Sequence, residues 1–338
     1  MHIAFIAICA IKSIPKMFTH KDIEYRSIFV VNCLEEKSLR VKSGELLLED
    51  LQQKKTLTKL PFQKILALFV IGHITITTAL IDKCRLHGIP LVVMKPNFRP
   101  VFFYSITAEA NYLLRQKQYE YPKTELQIAK KLVENKIRNQ LRLLEKTRQK
   151  APKITEAKEK CKKYLLLIPQ VDDYDSLMGI EGGVAKAFFS AYFEQHDWKQ
   201  RSPRTKIDPI NATLDIGYTI LFNYIEAFTR LFGFDPYIGV YHRLWFKRKS
   251  LICDLIEPFR CLIDQQVRKA FNTKQCSADD FLIVKNEHLL KREKNSDYTK
   301  MFYDVLIKYK SDVFCYMRDY YRCFMQRKSV PDYPLFEI

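Results

Sequence analysis

Residues Lys64–Met94, KILALFVIGHITITTALIDKCRLHGIPLVVM, carry the clearest structural pattern in the chain. They predict a buried strand, a helix and a second buried strand, at Lys64–Ile71, Thr75–His87 and Ile89–Met94. Thr75 or Thr77 is the expected N-cap of the helix, and Gly88 is its expected C-terminal stop. A helix between two strands is typical of a parallel pair joined by a crossover, so we expect that arrangement here.

The flanking sequence adds strands before this unit and helices after it. The β-branched run Ser27–Cys33 predicts another strand, with Leu39–Val41 as its candidate partner. Beyond about residue 106, apolar residues recur at helical spacing. The predicted helices are Glu125–Gln149, Glu181–Gln195, Asn211–Leu231, Leu251–Phe271 and Asp297–Phe324. The sequence therefore predicts an α+β protein, with a β-rich domain at 1–105 and a larger α-helical domain at 106–338.

The charge balance indicates the kind of partner. The 338 residues include 56 Lys and Arg against 38 Asp and Glu, a formal net charge of +18. The first predicted domain carries +7 of this charge and the second +11. One face of the Glu125–Gln149 helix is basic, and solvation is its simplest interpretation; the residues are Lys130, Lys131, Lys136, Arg138, Arg142 and Lys146. The excess as a whole favours nucleic acid over an anionic membrane surface.

Cysteine usage and hydropathy indicate the compartment. Nine cysteines without a CxxC pair suggest neither a zinc knuckle nor a disulfide framework. The apolar run Ile65–Ile81 is too short and too polar for a membrane span, and no targeting signal stands out. We therefore expect a soluble cytoplasmic protein with reduced thiols and no membrane partner.

Acidic residues need a reason in a basic chain, and a divalent metal is the usual one at a phosphodiester site. In Met178–Phe189, Glu181 stands among three glycines just before a predicted helical run. The glycines would let a ligand come close. The plainer alternative is a glutamate in a first helical turn that complements the helix dipole.

Two further segments hold candidate ligands. His242 ends the aromatic segment Gly233–His242, although a lone histidine is more often an ordinary hydrogen-bonding residue. In Ser250–Arg260, with Ser250 as a plausible N-cap, Asp254 and Glu257 lie three apart and would share one helix face. That pair suits a hard metal ion. The alternative is a solvated helix face.

Taken together, these segments resemble one family, the CRISPR-associated endonuclease/integrase that inserts new spacers (the family of CRISPR-associated protein number one). The resemblance runs through Leu60–Met94, NYLLRQKQY at Asn111–Tyr119, GIEGGVAKAFF around Glu181, RSPRTKIDPINATLDIGYTIL at Arg201–Leu221, GFDPYIGVYH and SLICDLIEPFR. It implies an N-terminal β-sandwich joined to an α-helical catalytic domain.

The resemblance also implies roles for single residues. Glu181, His242 and Glu257 would bind Mg²⁺ or Mn²⁺, with Asp254 beside them and Tyr218 near the reacting phosphate. The implied DNA-binding residues are Arg201, Arg204, Asn211, Lys247, Arg248 and Lys249. The reaction would be attack by the 3′-hydroxyl of a short DNA duplex, the spacer precursor, on a phosphodiester at the edge of a CRISPR repeat next to the leader.

The implied assembly is an asymmetric homodimer. Two such dimers would be bridged by the small companion, CRISPR-associated protein two, in a heterohexamer. The aromatic segment Tyr298–Met325 offers candidate anchors for such contacts, but packing of its rings into the chain's own core is the favoured interpretation. Two other functions stay open: a transposon-type integrase of the same fold, and a non-catalytic nucleic-acid-binding scaffold.

Overall fold

The computed structural model describes residues 20–34, 37–105, 111–120, 125–148, 151–196, 198 and 200–338. The chain forms two compact units. The first comprises residues up to 115 together with 227–234 and 309–317, and the second comprises 116–226, 235–308 and 318–338. The domain boundary predicted after residue 105 stays a prediction. Each unit is built from separate segments of the chain, so no single boundary in the sequence describes the two units.

The first unit contains two β-sheets. In chain order its elements are α1 (His20–Tyr25), β1 (Ser27–Cys33), β2 (Lys37–Lys42), β3 (Glu45–Asp50), β4 (Lys55–Pro61), β5 (Ile65–Gly72), α2 (Thr78–His87), β6 (Leu91–Met94) and β7 (Pro100–Tyr104). One sheet has the order β1-β5-β6-β7, parallel except for the antiparallel β6–β7 pair, and the other is the antiparallel sheet β2-β3-β4.

The strand–helix–strand unit is confirmed. β5 and β6 are parallel, and α2 connects them. The Thr77 hydroxyl accepts a hydrogen bond from the Leu80 backbone N–H, which makes Thr77 the N-cap. Gly88 ends the helix in the left-handed conformation, with φ 63°. The pairing predicted for Leu39–Val41 is wrong, since β2 pairs with β3 and β1 pairs with β5.

The two sheets share one apolar core. Every residue of β5 is buried. Residues of the facing sheet, Leu39 and Leu46, join the same cluster as Val31, Leu68 and the helix residue Leu80. Two sheets packed over a common core form the sandwich that was predicted for the N-terminal part, so the α+β fold class is confirmed.

Helices dominate the rest of the chain. They are α3 (Tyr112–Glu120), α4 (Glu125–Glu145), α5 (Pro152–Leu167), α6 (Tyr174–Tyr192), α7 (Pro209–Leu231), α8 (Ser250–Leu255), α9 (Arg260–Asn272), α10 (Asn295–Lys308) and α11 (Lys310–Gln326). The hairpin of β8 (Phe281–Val284) and β9 (Glu287–Leu290) lies between α9 and α10. None of the helices in the described ranges has the length and apolar character needed to span a bilayer.

Three predicted helices have different bounds in the structure. α6 begins at Tyr174 with Asp173 as its N-cap, so Glu181 lies in the helix interior and not in a first turn. The helix predicted over Leu251–Phe271 is interrupted by the 3₁₀ turn Glu257–Phe259, where Pro258 cannot donate a backbone hydrogen bond. The helix predicted over Asp297–Phe324 is two helices, α10 and α11.

The basic face of α4 is not uniformly solvated. Lys130 and Lys136 are buried, at 6% and 7% exposure. Lys130 Nζ donates to the Pro169 carbonyl oxygen at 3.2 Å. The solvated interpretation is therefore wrong for these two lysines, because Lys136 lies where α4 packs against α6 and Lys130 lies against the turn that follows α5.

The aromatic rings of the C-terminal segment are mostly buried in this chain. The buried rings are Tyr298, Phe302, Tyr303, Phe314, Tyr316, Tyr320 and Phe324, whereas Tyr309 and Tyr321 are partly exposed. Their packing confirms the favoured interpretation, a contribution to the chain's own core. The buried rings are therefore not available as anchors for a partner.

Candidate active site

The carboxylates of Glu181 and Glu257 converge on the ammonium group of Lys136. Glu181 lies in the interior of α6, Glu257 begins the 3₁₀ turn before α9, and Lys136 lies on α4, which packs against both elements. Glu181 Oε1 accepts a hydrogen bond from Lys136 Nζ, and Glu257 Oε2 lies 2.6 Å from the same nitrogen. Two of the three predicted metal ligands therefore share one cation.

Glu257 is almost completely removed from solvent, at 2% exposure. Its Oε1 lies 2.9 Å from Arg260 Nε. Its Oε2 lies 2.6 Å from Lys136 Nζ but accepts no hydrogen bond from the described residues. A buried carboxylate oxygen without a hydrogen-bond donor is costly, and a bound cation is one way to satisfy it.

Glu181 is held in its ionised form. Burial alone would raise its pKa, but the Lys136 ammonium, the Tyr241 hydroxyl and the Arg260 guanidinium outweigh burial and lower the pKa to about 2. Tyr241 Oη donates to Glu181 Oε2 at 2.7 Å, and burial together with this carboxylate raises the pKa of Tyr241. Glu181 is therefore a carboxylate at physiological pH, as a metal ligand must be.

Asp254 holds the loop that carries His242. Its Oδ2 accepts from the backbone N–H groups of Val240 and Tyr241 at 2.6 and 3.0 Å, and its Oδ1 accepts from the His242 N–H at 2.9 Å. The same Oδ1 lies 2.7 Å from His242 Nδ1. Because the carboxylate engages Nδ1, Nε2 is the ring nitrogen that is left to bind a metal or to accept a proton.

This loop can approach Asp254 only because residue 239 is glycine. A Cβ at Gly239 would lie 2.5 Å from Asp254 Oδ2 and 2.8 Å from the Ser250 carbonyl carbon. Asp254 and Glu257 therefore do not act as a pair on one helix face, as their spacing predicts, since Asp254 faces the loop and Glu257 faces Lys136. Ser250 is the first residue of α8 and not its N-cap; its hydroxyl donates to the Arg243 carbonyl oxygen.

The donor chemistry of these residues fits a divalent cation. Glu181 and Glu257 already surround a positive charge, and His242 has the carboxylate-backed imidazole that is common among metal ligands. Gly179 and Gly182 face open space, so the surface of α6 beside Glu181 is unobstructed. Among the described residues, however, no three His, Cys, Asp or Glu side chains lie close enough together to hold an ion. The ammonium of Lys136 occupies the point between the two carboxylates.

Tyr218 lies next to this cluster and reaches it through Arg260. Its hydroxyl donates a hydrogen bond to Asp264 Oδ1, and both side chains are buried. The Arg260 guanidinium lies over the Tyr218 ring, 4.7 Å from its centroid, and also pairs with Glu257. The close approach of α7 to α9 and α10 depends on Gly217, where a Cβ would lie 2.5 Å from Ile263 Cγ2.

Arg201 and Asn211, which were predicted to contact DNA, both have partners within the protein. Asn211 is fully buried; its Oδ1 accepts from Arg201 Nη1 and the Ser202 N–H, and its Nδ2 donates to the carbonyl of Gln200 and to Asp208. The amide of Asn211 therefore has no free group to offer DNA. Arg201 is paired with Asp215 and lies over the Tyr218 ring. Arg204 is exposed, so its predicted contact with DNA stays a prediction.

The basic cluster after His242 divides into two parts. Lys247 and Arg248 are exposed in a loop that also exposes Trp245, at 77%, and Phe246, at 83%. Lys249 instead donates to both carboxylate oxygens of the buried Glu226 at 2.7 Å. The loop charges can meet a polyanion, whereas the charge of Lys249 is compensated inside the protein.

Sequence reasoning missed three residues of this site: Lys136, Tyr241 and Arg260. The sequence shows Lys136 only as part of a basic helix face, and Arg260 only as the last residue of the segment Ser250–Arg260. The one available signal was the occurrence of a lysine-bearing helix together with two separate glutamate motifs. That signal gains meaning only when the tertiary fold brings α4 between them.

Comparison with known proteins identifies the family of the chain. A curated relative, the CRISPR-associated endonuclease Cas1 1 of Thermodesulfovibrio yellowstonii, is 30% identical over 236 residues, covering 66% of this chain and 74% of that protein. A casposase bound to its integration product has a similar fold, with a TM-score of 0.73 at 18% identity over 92% of this chain and 96% of that one. A chain of a Cas6-RT-Cas1–Cas2 complex gives a TM-score of 0.75 at 19% identity; the match covers 92% of this chain but 36% of that longer chain.

The structural similarities show the fold alone, because their sequence identities are low. The family assignment comes from the sequence. Residues 32–304 match the model of the family described as CRISPR associated protein Cas1, and they include Lys136, Glu181, His242 and Glu257. The chain therefore belongs to the Cas1 family.

Proposed function

We propose that this chain is a metal-dependent DNA endonuclease and integrase that inserts short DNA duplexes into a CRISPR array. The reaction is transesterification: the 3′-hydroxyl of the incoming duplex attacks a repeat phosphodiester, a new ester bond forms, and the repeat strand leaves as a 3′-hydroxyl. With water as the attacking group the same chemistry is hydrolysis, which accounts for an endonuclease activity. The name of the curated relative, an endonuclease, supports this class of reaction.

One observation carries the proposal. Glu181, His242 and Glu257 come from three separate parts of the chain, yet they belong to one hydrogen-bonded and ion-paired network inside the helical unit. Tyr241 links the histidine loop to Glu181, and Lys136 links Glu181 to Glu257. A solvated set of acids on a scaffold protein would not be connected in this way.

Each residue of the site has a proposed role in the reaction. Glu181 and Glu257 would hold Mg²⁺ or Mn²⁺ with His242 Nε2, and the metal would polarise the scissile phosphate and favour ionisation of the attacking hydroxyl. Asp254 fixes the imidazole of His242 through Nδ1. Arg260 fixes the Glu257 carboxylate from the side of α9. The exposed cations of Arg243, Lys247 and Arg248 lie on the loop that follows His242, where they would contact DNA phosphates.

Assembly with a companion protein is part of the proposal. A spacer has two ends, and each needs an active site, so we infer a homodimer that combines with Cas2 in a heterohexamer. A fold neighbour solved in a Cas6-RT-Cas1–Cas2 complex supports this choice of partner. The transposon-type alternative uses the same chemistry on terminal repeats, and the casposase neighbour keeps it as the second candidate.

A strand-transfer assay tests the proposed function. Purified protein is given a short duplex with free 3′ ends, Mn²⁺, and a plasmid bearing either the CRISPR repeat or transposon terminal repeats. We expect products that depend on the CRISPR repeat and that disappear in Glu181→Gln, His242→Ala and Glu257→Gln. Glu159→Gln, an exposed glutamate paired with Lys162 on α5, is the matched control and should retain full activity.

Three outcomes would contradict parts of the proposal. Transfer at the wild-type rate in any of the three site variants would remove that residue from the ligand set. Transfer that requires terminal repeats would favour the transposon-type alternative. Binding of DNA without any transfer or cleavage would favour a scaffold.

A further inference from the structure

The position between Glu181 and Glu257 is taken by a group of the protein itself. Lys136 Nζ donates to Glu181 Oε1 and lies 2.6 Å from Glu257 Oε2, and the lysine side chain is 9% exposed. Each carboxylate oxygen that faces the centre of the cluster therefore faces the ammonium. A divalent ion held by the same two oxygens would have to occupy the same place, since two cations cannot both lie within contact distance of this point.

The charges of the cluster balance without a metal. Glu181 and Glu257 contribute two negative charges, and Lys136 and Arg260 contribute two positive ones. A divalent ion added to this balanced set would leave an excess of two positive charges in a largely buried place, which is unfavourable. Movement of the Lys136 ammonium away from the carboxylates would remove one of them and free both ligand oxygens.

Lys136 is also the movable member of the set. Its ammonium stands at the end of four rotatable methylene groups, whereas its backbone is fixed within α4. One turn further along α4, Asn139 Nδ2 donates to the Pro258 carbonyl oxygen at 3.0 Å and so fixes the helix to the turn that carries Glu257. The side chain can therefore withdraw while both glutamates stay in place.

We propose that Lys136 is a resident counter-ion that holds the two-glutamate site together in the metal-free protein and leaves it when a divalent cation binds. The inference rests on the proposed function, since it takes Glu181 and Glu257 as metal ligands. It makes Lys136 a competitor of the metal, so the wild-type lysine lowers metal affinity while it preserves the geometry of the ligands.

The direction in which Mn²⁺ affinity changes when Lys136 is replaced tests this role. Mn²⁺ affinity is measured by isothermal titration calorimetry on the full chain for wild type, Lys136→Met and Lys130→Met. Methionine keeps the length of the side chain and removes the charge. We expect Lys136→Met to bind Mn²⁺ about tenfold more tightly or better, because an opposing charge is removed. Lys130→Met, which removes a buried lysine of the same helix that donates to the Pro169 carbonyl, should bind as wild type does.

A lysine with a merely structural role would give the opposite result, because disorder of the ligands weakens metal binding. Unchanged or weaker Mn²⁺ binding by folded Lys136→Met would therefore overturn the inference. If neither Lys136→Met nor wild type binds Mn²⁺, or if Glu181→Gln and Glu257→Gln bind it as wild type does, the proposed ligand set fails as well. Binding that those two glutamine variants lose, without tightening in Lys136→Met, refutes the lysine role alone.

Wild-type protein provides an independent test that does not depend on folding of a variant. Lysines are methylated with formaldehyde and a borohydride reagent in EDTA or in saturating Mn²⁺, and mass spectrometry gives the extent at each site. We expect Lys136 to be protected in EDTA and to become several-fold more reactive in Mn²⁺, while Lys130 stays protected in both. Equal protection of Lys136 in the two conditions would contradict its withdrawal.

Discussion

At the scale of single residues, Tyr218 shows how a partner determines what a side chain can do. Its phenol donates to Asp264, which is 1% exposed. Burial and this carboxylate raise the pKa of Tyr218 well above its usual value, so the phenol does not ionise near neutral pH. Arg201 and Arg260 lie over its ring, and Arg260 continues to Glu257. Tyr218 is therefore linked to Glu257 through Arg260, and its predicted place near the reacting phosphate stays a prediction.

Asp264 should make stability depend on pH. Burial raises its pKa from 3.8 to about 6, despite the opposing hydrogen bond from Tyr218. A carboxyl with a raised pKa in the folded state contributes most below the pKa of the unfolded chain, and the contribution is lost as pH rises through about 6. Asparagine does not ionise, so Asp264→Asn does not lose stability in this way as the pH rises. Relative to wild type, this variant should gain roughly 3 kcal/mol in free energy of unfolding between about pH 4 and pH 8.

Urea unfolding at a series of pH values measures this difference. Asp280→Asn is a useful comparison, because hydrogen bonds lower the pKa of Asp280 against the effect of burial. Its difference from wild type should therefore change with the opposite sign, and only as the pH falls below the usual Asp pKa of 3.8. A difference between Asp264→Asn and wild type that is constant with pH would show that folding does not raise the pKa of Asp264.

Single residues also show how much of this site can be predicted from the sequence. Glu181, His242 and Glu257 were found because each stands in a motif with unusual neighbours. Lys136 was not distinguished from Lys131, its neighbour on α4, because periodicity assigns residues to a face but does not identify which lysine meets a carboxylate of another helix. Its position became clear only from the packing of α4 against α6.

At the scale of elements, helices and strands are predicted well where the local sequence carries caps, turn glycines or a clear apolar pattern. The strand–helix–strand unit was predicted closely because a cap, a left-handed glycine and a fully buried strand all lie within it. β4 was missed because it is largely exposed and lacks an apolar alternation. The breaks in the later helices were missed because apolar periodicity continues across Glu257–Phe259 and across Tyr309.

Substitutions in the loop after His242 distinguish residues that would bind DNA from residues that stabilise the fold. Lys247→Ala/Arg248→Ala removes two exposed charges, so DNA affinity should fall and the log–log salt slope should become shallower by about 2, with little change in melting temperature. Lys249→Ala removes the donor to the buried Glu226 and should lower the free energy of unfolding by about 1–3 kcal/mol. Fluorescence anisotropy of labelled duplex at several salt concentrations and thermal melts check both results. A salt slope equal to that of wild type in the double variant would place the DNA elsewhere.

The aromatic tip of this loop gives a direct optical test. The chain has two tryptophans. Trp198 is 8% exposed and Trp245 is 77% exposed, so quenching by an added ligand reports chiefly on Trp245. Titration with a DNA duplex should quench this fluorescence, because DNA bound at the loop places bases or phosphates beside the indole. Trp245→Phe should lose the quenching, and Trp198→Phe should keep it. Quenching that persists in Trp245→Phe would exclude the loop as the contact.

The C-terminal residues support the turn that carries Glu257. Asn135 exchanges two hydrogen bonds with the Phe336 backbone, at 2.6 and 2.8 Å. Asn139 donates to the Phe336 carbonyl and also to that of Pro258. Both Asn135→Ala and Asn139→Ala should lose about 2 kcal/mol of stability, since buried polar groups lose partners. Only Asn139→Ala should also reduce strand transfer, by about tenfold, because it alone releases the Glu257 turn.

Chemical denaturation and the strand-transfer assay, run at a temperature where both variants are folded, distinguish the two effects. Asn135→Ala serves as the matched control, since it removes an asparagine of the same helix that bonds to the same C-terminal residue. Equal transfer rates in the two alanine variants would show that the bond to Pro258 has no part in holding Glu257.

At the scale of the whole molecule, the positive charge and the proposed site set what we expect the protein to do alone. The net charge of +18 favours binding of duplex DNA without regard to sequence, with an affinity that falls steeply with salt. Such binding would deliver a duplex end to the proposed site, but it would not measure the length of the duplex. Length has to come from a second site held at a fixed distance.

Two-ended integration should therefore depend on assembly. Each chain supplies one cluster of Glu181, His242 and Glu257, so one chain serves one end. We expect the protein alone to join one end of a duplex to one strand of the repeat, and to do so with duplexes of many lengths. Addition of Cas2 should give products joined at both ends, with a preference for one length, because a rigid bridge fixes the distance between two sites. Gel analysis of doubly labelled duplexes separates the two classes of product, and native mass spectrometry reports the assembly in the same samples. Efficient two-ended joining by the protein alone, or one-ended joining that persists with Cas2 bound, would mean that the spacing of the sites is set within this chain.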